Sequence, residues 1–327
     1  MSEKMMKVVI AGGGTAGWIT ASALAHQMGE MLDITLIESE DIGTIGVGEA
    51  TIPLIRQFNQ WIGLNEAEFM QATGATFKLA IRFQGWGTPQ SDYFHPFGYS
   101  GEDINHLPFH QVWCWLQQQG SQVQAFDQYS LAALMAQQGR FQRPSADITD
   151  PLSAFNYAYH LDASRYATLL RQHATAQGVV RVEGKVVQVL QQPNGDLQSL
   201  TLDNGSQHSA ELFIDCSGFA AVLIEQTLKT GFDNWQHWLP CDRALAVPSD
   251  ADPIPAPYTS SKAISAGWQW RIPLQHRTGN GLVYSSAYLD DEQAAQTLLD
   301  GLLQPASSSP KALRFTTGRR RFSWQRN

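Results

Sequence analysis

The sequence predicts an α/β fold: a Rossmann-like parallel sheet with an added antiparallel sheet. Three observations carry that prediction. A β-branched run from Lys7 to Ala11 breaks into Gly12-Gly13-Gly14-Thr15-Ala16-Gly17, passes through a helical stretch and returns as the alternating segment Asp33 to Ile37. This is a βαβ unit, and parallel strands joined in this way need cover on their faces. Downstream, strand-like segments are separated by Asn194-Gly195 and Asn204-Gly205, the turn chemistry of antiparallel hairpins. Finally, hydrophobic residues make up 43% of the 327 positions, enough to cover such sheets with a core.

Taken in order, the βαβ unit spans 7–38, with its helix over Trp18 to Met28, where Ala and Leu recur at helical spacing. Trp61 to Gln84 is expected to be helical, with Phe69, Ala72 and Ala75–Phe77 as apolar positions. Trp113 to Gln142, rich in Gln, Ala and Leu, is expected as exposed helix within an inserted helical segment at about 106–150. Arg143 to Pro151 carries two prolines and two aspartates and reads as a loop. A helix over Ala163 to Gln177 precedes strands at Val179 to Gln191, Leu197 to Asp203 and Leu212 to Asp215. Pro248 to Pro257 holds four prolines and reads as a rigid surface connection. Gly267 to Ile272 alternates as a strand should, inside a strand region at 257–290. No internal repeat divides 1–327, which is expected to form one unit.

Composition excludes several function classes. A formal net charge of −8 leaves no basic face for phosphate contacts, so nucleic-acid binding is not expected. No apolar run approaches a membrane span, and the N-terminus is not a secretory signal. Cys114, Cys216 and Cys241 are odd in number and far apart, without a CxxC pair. Neither a disulfide framework nor a zinc site is expected. His106 and His110 stand at i, i+4 with His95 nearby, but no third ligand has suitable spacing, and no metal is expected. A cytoplasmic protein without membrane partners is the resulting expectation, and a homodimer is left open.

The chemistry-bearing motif is Gly12-x-Gly14-x-x-Gly17 between a strand and a helix. Gly12 permits a tight turn, Gly14 lets backbone approach a pyrophosphate, and Gly17 allows close helix–strand packing. The helix N-terminus, at Thr15 and Ala16, offers unpaired N–H groups and its positive dipole end to the phosphates. Glu38 ends the second strand, roughly 20 residues past the last glycine, where a carboxylate accepts ribose hydroxyls. Leu212 to Gly218 runs a buried strand into a small-residue turn at Asp215. Two-segment recognition of this kind favours the long cofactor FAD over NAD, with an ordinary strand-end turn as the alternative for Asp215.

With these pieces in place, the sequence resembles the flavin-dependent tryptophan halogenase family. The resemblance runs from Lys7 to Asn327. It rests on GGGTAGW at 12–18, IGVGEATIP at 45–53, KLAIRFQGW at 78–86 and FHPFG at 94–98. Further on are YAYHLDASRYA at 157–167, LFIDCSGF at 212–219, CDRALAVP at 241–248, PYTSS at 257–261 and GWQWRIP at 267–273. The W-x-W-x-I-P hexad from Trp268 to Pro273 is the most specific of these.

The resemblance implies an FAD-binding, monooxygenase-type fold supplied with FADH2 by a separate flavin reductase. Reduced flavin, O2 and a halide co-substrate, chloride or bromide, yield hypohalous acid, which a lysine then directs onto a small aromatic substrate. Lys78 matches that lysine, and an amine can hydrogen-bond the hypohalous acid or form a haloamine. His95 and Phe97 match positions flanking the substrate indole. Trp268 and Trp270 match a pair lining the active site. Gly48, Glu49 and Ala50 fall in the strap that covers the flavin. Val187 matches a strand position whose backbone meets the adenine end.

The resemblance also implies a departure. After FTTGRRRFSWQRN the family continues into N-C-x-x-x-G-L-x-x-G-F-x-E-P-L-E-S-T, which carries the catalytic glutamate and the halide-binding backbone. Asn327 is the first residue of that segment. The expectation from sequence is therefore a chain cut short, lacking the helical C-terminal substrate part and inactive alone. Two other readings compete with a halogenase: a flavin-dependent aromatic hydroxylase, and a non-catalytic FAD-binding fragment.

Overall fold

A computed structural model of the chain describes residues 5–42 and 49–327. Strand β1 (Met6–Ala11) enters α1 (Thr15–Met28) and returns as β2 (Leu32–Glu38). After the short β3 (Glu49–Ala50) come α2 (Leu54–Trp61), α3 (Glu66–Thr73), β4 (Thr76–Lys78), β5 (Ala80–Gln84) and β6 (Asp92–Pro96). Helices α4 (Phe109–Gln118) and α5 (Leu131–Gln137) precede β7 (Ala158–Leu161) and α6 (Ala163–Ala176). Strands β8 (Val180–Glu183), β9 (Val186–Gln191), β10 (Leu197–Leu202), β11 (Gln207–Ser209) and β12 (Leu212–Asp215) follow. The remainder holds β13 (Phe232–Asn234), β14 (Arg243–Ser249), β15 (Tyr258–Ile264), β16 (Gly267–Pro273) and β17 (Thr278–Tyr284). It ends with α7 (Asp291–Asp300), β18 (Lys311–Arg314) and β19 (Gly318–Arg320).

The expected α/β architecture is present. Strands β12-β1-β2-β8 form a parallel sheet. Its central strand buries both faces, which explains the continuous apolar run rather than an alternating one. Val8 and Ile10 pack with Trp18, Ala21 and Leu170 from α1 and α6, whereas Val9 and Ala11 meet Leu197, Leu200 and Leu202 of the hairpin strands. Both Asn-Gly turns connect antiparallel strands, β9 to β10 and β10 to β11. The added antiparallel sheet has seven strands in the order β18-β14-β17-β16-β15-β5-β6, with one parallel pair, β15 and β5. Leu245, Val247, Leu282 and Tyr284 of that sheet pack on Ala294 and Leu298 of α7. A small sheet, β3-β7-β4, lies between the two larger ones in the chain's path. No helix among the described residues is long and apolar enough to cross a membrane.

Three local expectations need correction. The segment 61–84 is not one helix. Asn65 caps α3, accepting from Ala67 and Glu68 N–H, and Gly74 in the left-handed region (φ +60°) ends it. Beyond, Thr76, Lys78 and Ala80 alternate with Phe77, Leu79 and Ile81, a period of two that belongs to strands β4 and β5. The segment 113–142 is likewise broken, at Gly120 (φ +75°) and again where Ser130 caps α5. Its second helix is not exposed, because Ala132, Ala133 and Ala136 are fully buried. Finally, the proline-rich connection begins inside β14. Pro248 pairs with Gly279 of β17 but lies past the last residue paired with β18, so its missing N–H breaks no ladder.

Trp270 and Gly281 are directly opposed on β16 and β17, and the indole lies over the glycine. A Cβ at Gly281 would come within 2.0 Å of the Trp270 ring. Gly281→Ala should therefore lower stability by about 1–3 kcal/mol through forced displacement of the ring. Denaturant unfolding checks this: an unchanged midpoint would mean that the indole swings aside freely.

Candidate functional site

The glycine turn packs backbone against backbone. Gly12 sits at φ +114°, and a Cβ there would lie 2.2 Å from the Cys216 carbonyl oxygen. A Cβ on Gly17 would come 1.9 Å from the Gly12 carbonyl, so α1 starts as close to the end of β1 as a chain allows. Gly14 differs: nothing lies within 4 Å of a Cβ built on it. It opens onto a cleft of about 770 Å³ whose walls include Gly12 to Thr15, Glu38, Glu49, Arg171 and Ser217. No side chain caps α1 at Gly14, and Ala16 beside it is exposed. The first-turn N–H groups are thus open at the cleft, and the cradle fits a dinucleotide diphosphate.

Glu38 stands at the end of β2, half of its hydrogen-bonding capacity already used. Trp18 Nε1 donates to its Oε2 at 3.1 Å and Arg181 Nε to its Oε1 at 2.5 Å, with Arg171 Nη1 3.5 Å away. Each oxygen can still accept one more bond, as a ribose hydroxyl would require. The two arginines carry no sequence signal, since they come from α6 and β8, and Trp18, though inside the GGGTAGW motif, had no assigned role.

The other nucleotide-side residues separate. Asp215 does not line the cleft. Its carboxylate accepts from Ser217 N–H and O–H and from the N–H groups of Leu223 and Ile224, the role of a turn and helix cap. Val186 lines the cleft, whereas Val187, one residue on, points its side chain away and is 62% exposed. Glu49 lines the cleft from β3, and burial raises its carboxyl pKa; Ala50 follows it on the strand. Gly48 lies outside the described residues.

Lys78 ends β4, immediately before the chain crosses into the seven-stranded sheet. It is not the solvated lysine that a helix would present, being only 3% exposed. Its Nζ donates to the Thr51 carbonyl at 2.9 Å and lies 5.2 Å from the centre of the Phe97 ring. Among the described residues no carboxylate pairs with it, and burial pulls its pKa down to about 8. At neutral pH such a group carries an appreciable amine fraction, which an exposed lysine does not.

Phe97 is brought to Lys78 because its N–H donates to the Leu79 carbonyl at 2.8 Å. His95, two residues earlier on β6, is exposed. Trp268 and Trp270 share one side of β16 with ring centres 5.9 Å apart, and Trp86 extends the row at 6.4 Å from Trp268. The reading from sequence missed two residues at Lys78. Thr51 contributes only a backbone oxygen, which no side-chain pattern can show. His160 lay within the quoted YAYHLDASRYA motif but had no assigned role.

The depressed Lys78 pKa has a consequence for stability. The unfolded chain binds its proton up to the ordinary value of 10.5 and the folded chain only up to about 8, so folding strains against the charge below pH 8. That strain is relieved as pH rises through this window. Lys78→Met should accordingly raise stability at pH 7 by an amount on the order of 2–3 kcal/mol. The gain should fade between pH 8 and pH 10.5. Unfolding free energies measured across that range check it, and a destabilised variant at pH 7 would show that the lysine is held by compensating contacts.

Comparison with known proteins identifies the family. The family model for tryptophan halogenase matches residues 7–327. The chain is 36% identical to tryptophan 6-halogenase SttH of Streptomyces toxytricini over 98% of its length and 65% of that protein's. It is 35% identical to tryptophan 7-halogenase RebH of Lentzea aerocolonigenes, covering all of this chain and 64% of that one. Among solved structures, BrvH, a flavin-dependent halogenase from Brevundimonas sp. BAL3, superposes with a TM-score of 0.93 at 44% identity, over 99% of this chain and 65% of that one. The chain thus spans about 65% of the length of the relatives it matches. A Rossmann-like glycine cleft, a buried lysine beside Phe97 and the Trp268–Trp270 strand, matched from end to end by one family model, place the chain in the tryptophan halogenase family.

Proposed function

We propose that this chain carries the flavin cleft and the halogen-directing lysine of an FAD-dependent halogenase. Its substrate class is an electron-rich aromatic, tryptophan or another indole. One observation supports this above the rest. Glu49 lines the nucleotide cleft, and two residues on the carbonyl of Thr51 holds Lys78 Nζ. A single short segment therefore joins the place where a flavin would be held to a buried amine that, among the described residues, has no counter-ion.

FADH2 bound in the cleft, renewed by a separate reductase, supplies two electrons that with O2, a proton and a halide ion give hypohalous acid, water and FAD. The chain's own residues do the rest of the work assigned to them here. Gly12, Gly14, Thr15 and the first turn of α1 hold the diphosphate, and Glu38 accepts from a ribose hydroxyl. Lys78 acts where the hypohalous acid is consumed. As an ammonium it donates a hydrogen bond to the hypohalous oxygen and makes the halogen more electrophilic. As an amine it takes the halogen, releasing water, and returns to the free amine when the ring carbon takes the halogen and loses its proton. Phe97, beside the amine, offers an aromatic face to an indole.

Two variants test this reading. Gly14→Leu places a side chain in open cleft at an ordinary backbone conformation (φ −70°). The unfolding midpoint should stay unchanged while FAD affinity falls at least about tenfold, a loss of ~1.4 kcal/mol. Unchanged flavin affinity would remove the cleft assignment. In protein of the family's full length, of which this chain spans about 65%, Lys78→Ala should abolish halogenated product, followed by mass spectrometry with reductase, O2, bromide and a panel of indoles. Oxidation of reduced flavin by O2 should continue in that variant. Loss of both activities would mark the lysine as structural, and hydroxylated product from the unaltered protein would favour a hydroxylase.

A further inference from the structure

His160 lies in the middle strand of the small sheet, on β7 between β3 and β4, opposite Ala50 and Thr76. Lys78 is two residues past Thr76, so its side chain and that of His160 share one face as diagonal neighbours. The imidazole is fully buried, and both of its nitrogens meet threonine hydroxyls. Nδ1 is 3.0 Å from Thr76 Oγ1, and Nε2 is 3.0 Å from Thr259 Oγ1. The hydroxyl of Thr76 donates to the Pro273 carbonyl at 2.6 Å. A hydroxyl has one hydrogen, so toward His160 the Thr76 oxygen accepts, and the ring carries its proton on Nδ1. Nε2 is then the acceptor, receiving the Thr259 hydroxyl hydrogen. The chain of bonds runs Thr259 to His160 to Thr76 to Pro273. It ties β15, β7 and β4 to the last residue of the W-x-W-x-I-P strand.

We propose that His160 is a positioning residue for Lys78: fixed as the neutral Nδ1–H tautomer by Thr76 and Thr259, it closes the space beside the amine to water and to counter-charge. Burial and the nearby lysine both hold its pKa well below the ordinary histidine value, so it stays uncharged where the lysine titrates. Other charged groups on the surrounding elements are engaged elsewhere. Arg82 on β5 pairs with Asp92, Arg271 on β16 with Asp252, and Asp162 after β7 with Arg277 and His276. Glu49 on β3 lines the nucleotide cleft, and Lys262 on β15 is exposed. Among the described residues, Lys78 is left with a carbonyl, an aromatic face and a neutral imidazole. That set holds the nitrogen in place without supplying the negative charge that would fix it as an ammonium.

The inference rests on the proposed role of Lys78, but its test reads the lysine itself, not product formation. In protein carrying 13C-lysine, the Lys78 Cε signal, assigned by its absence in Lys78→Arg, should titrate near pH 8. His160→Ala admits water and should move that midpoint toward the ordinary lysine value, cutting the amine fraction at pH 7.5 roughly tenfold. His160→Asn, whose amide N–H can replace the Nδ1 donor to Thr76, should restore most of the shift. In 15N-histidine spectra, His160 should show a protonated Nδ1 and a bare Nε2, unchanged from pH 5 to pH 9. Thr76→Val, close in shape, should move the ring proton to Nε2.

An Nε2–H ring, a His160 that titrates near the ordinary value, or a Lys78 midpoint indifferent to His160→Ala would each overturn the proposal. If the alanine variant fails to fold, Thr76→Val decides: an unchanged ring proton and an unchanged Lys78 midpoint refute it. Should Lys78→Ala retain halogenation while these titrations behave as expected, the role of the lysine fails and the His160–Lys78 coupling stands.

Discussion

The structure turns on one crossing of the chain, at Leu79. On its N-terminal side β4 belongs to the small sheet; on its C-terminal side β5 belongs to the seven-stranded sheet. Leu79 is fully buried, and its backbone is held from both directions, N–H to the Pro257 carbonyl at 2.7 Å and C=O from the Phe97 N–H at 2.8 Å. Because a residue cannot be buried with unpaired backbone groups, these two bonds fix the relative position of three segments at once. Lys78 precedes the crossing by one residue, and Phe97 is one of the two anchors. Backbone pairing therefore sets where the Lys78 backbone lies, and the Thr51 carbonyl then holds its amine.

The glycine turn works on the same logic at the other end of the molecule. Carbonyls of Gly12 and Cys216 occupy the space that side chains would need at Gly17 and Gly12. At the glycine turn, the end of β1, the start of α1 and the turn after β12 consequently meet backbone against backbone. Glu38 is held by Trp18 and Arg181 in a geometry that leaves lone pairs toward the cleft. A carboxylate tethered in this way is pre-oriented, and orientation is what a hydrogen bond to a ligand otherwise loses entropy to obtain.

Much of the fold was legible because its signals were local. Gly12 to Gly17, the two Asn-Gly turns and the alternation of Gly267 to Ile272 each impose structure within a few residues. The misreadings have a common physical cause. Over 61–84, alanines and aromatics satisfy a helical period and a strand period alike, and the choice fell to Gly74, whose left-handed conformation is visible only in the structure. Over 113–142, glutamines suggested an exposed surface, yet Ala132, Ala133 and Ala136 are small enough to be buried by a neighbouring sheet without any apolar stripe of large residues. At the site, Lys78 and Phe97 were identified through motif resemblance. Thr51 was not, since a carbonyl oxygen has no letter in the sequence. Asp215 illustrates the converse: a carboxylate at a strand end beside a glycine fits ligand binding and turn capping equally on paper, and in the structure four internal hydrogen bonds engage it in capping.

Among the described residues, Lys78 is buried without an anion beside it. Structural lysines and arginines in this chain follow the common pattern: Arg82, Arg181 and Arg271 each have a carboxylate in contact, which returns part of the desolvation penalty. Among the described residues Lys78 has none, and the carbonyl of Thr51 with the face of Phe97 returns less. A chain selected for stability alone would place methionine or leucine there. Under the proposed role that penalty has a use, because the same burial without an anion that makes the residue costly lowers its pKa toward neutrality. Adding a carboxylate beside Lys78 would stabilise the ammonium and remove the amine. The strain and the chemistry are one property of the site, and neither can be improved without loss of the other.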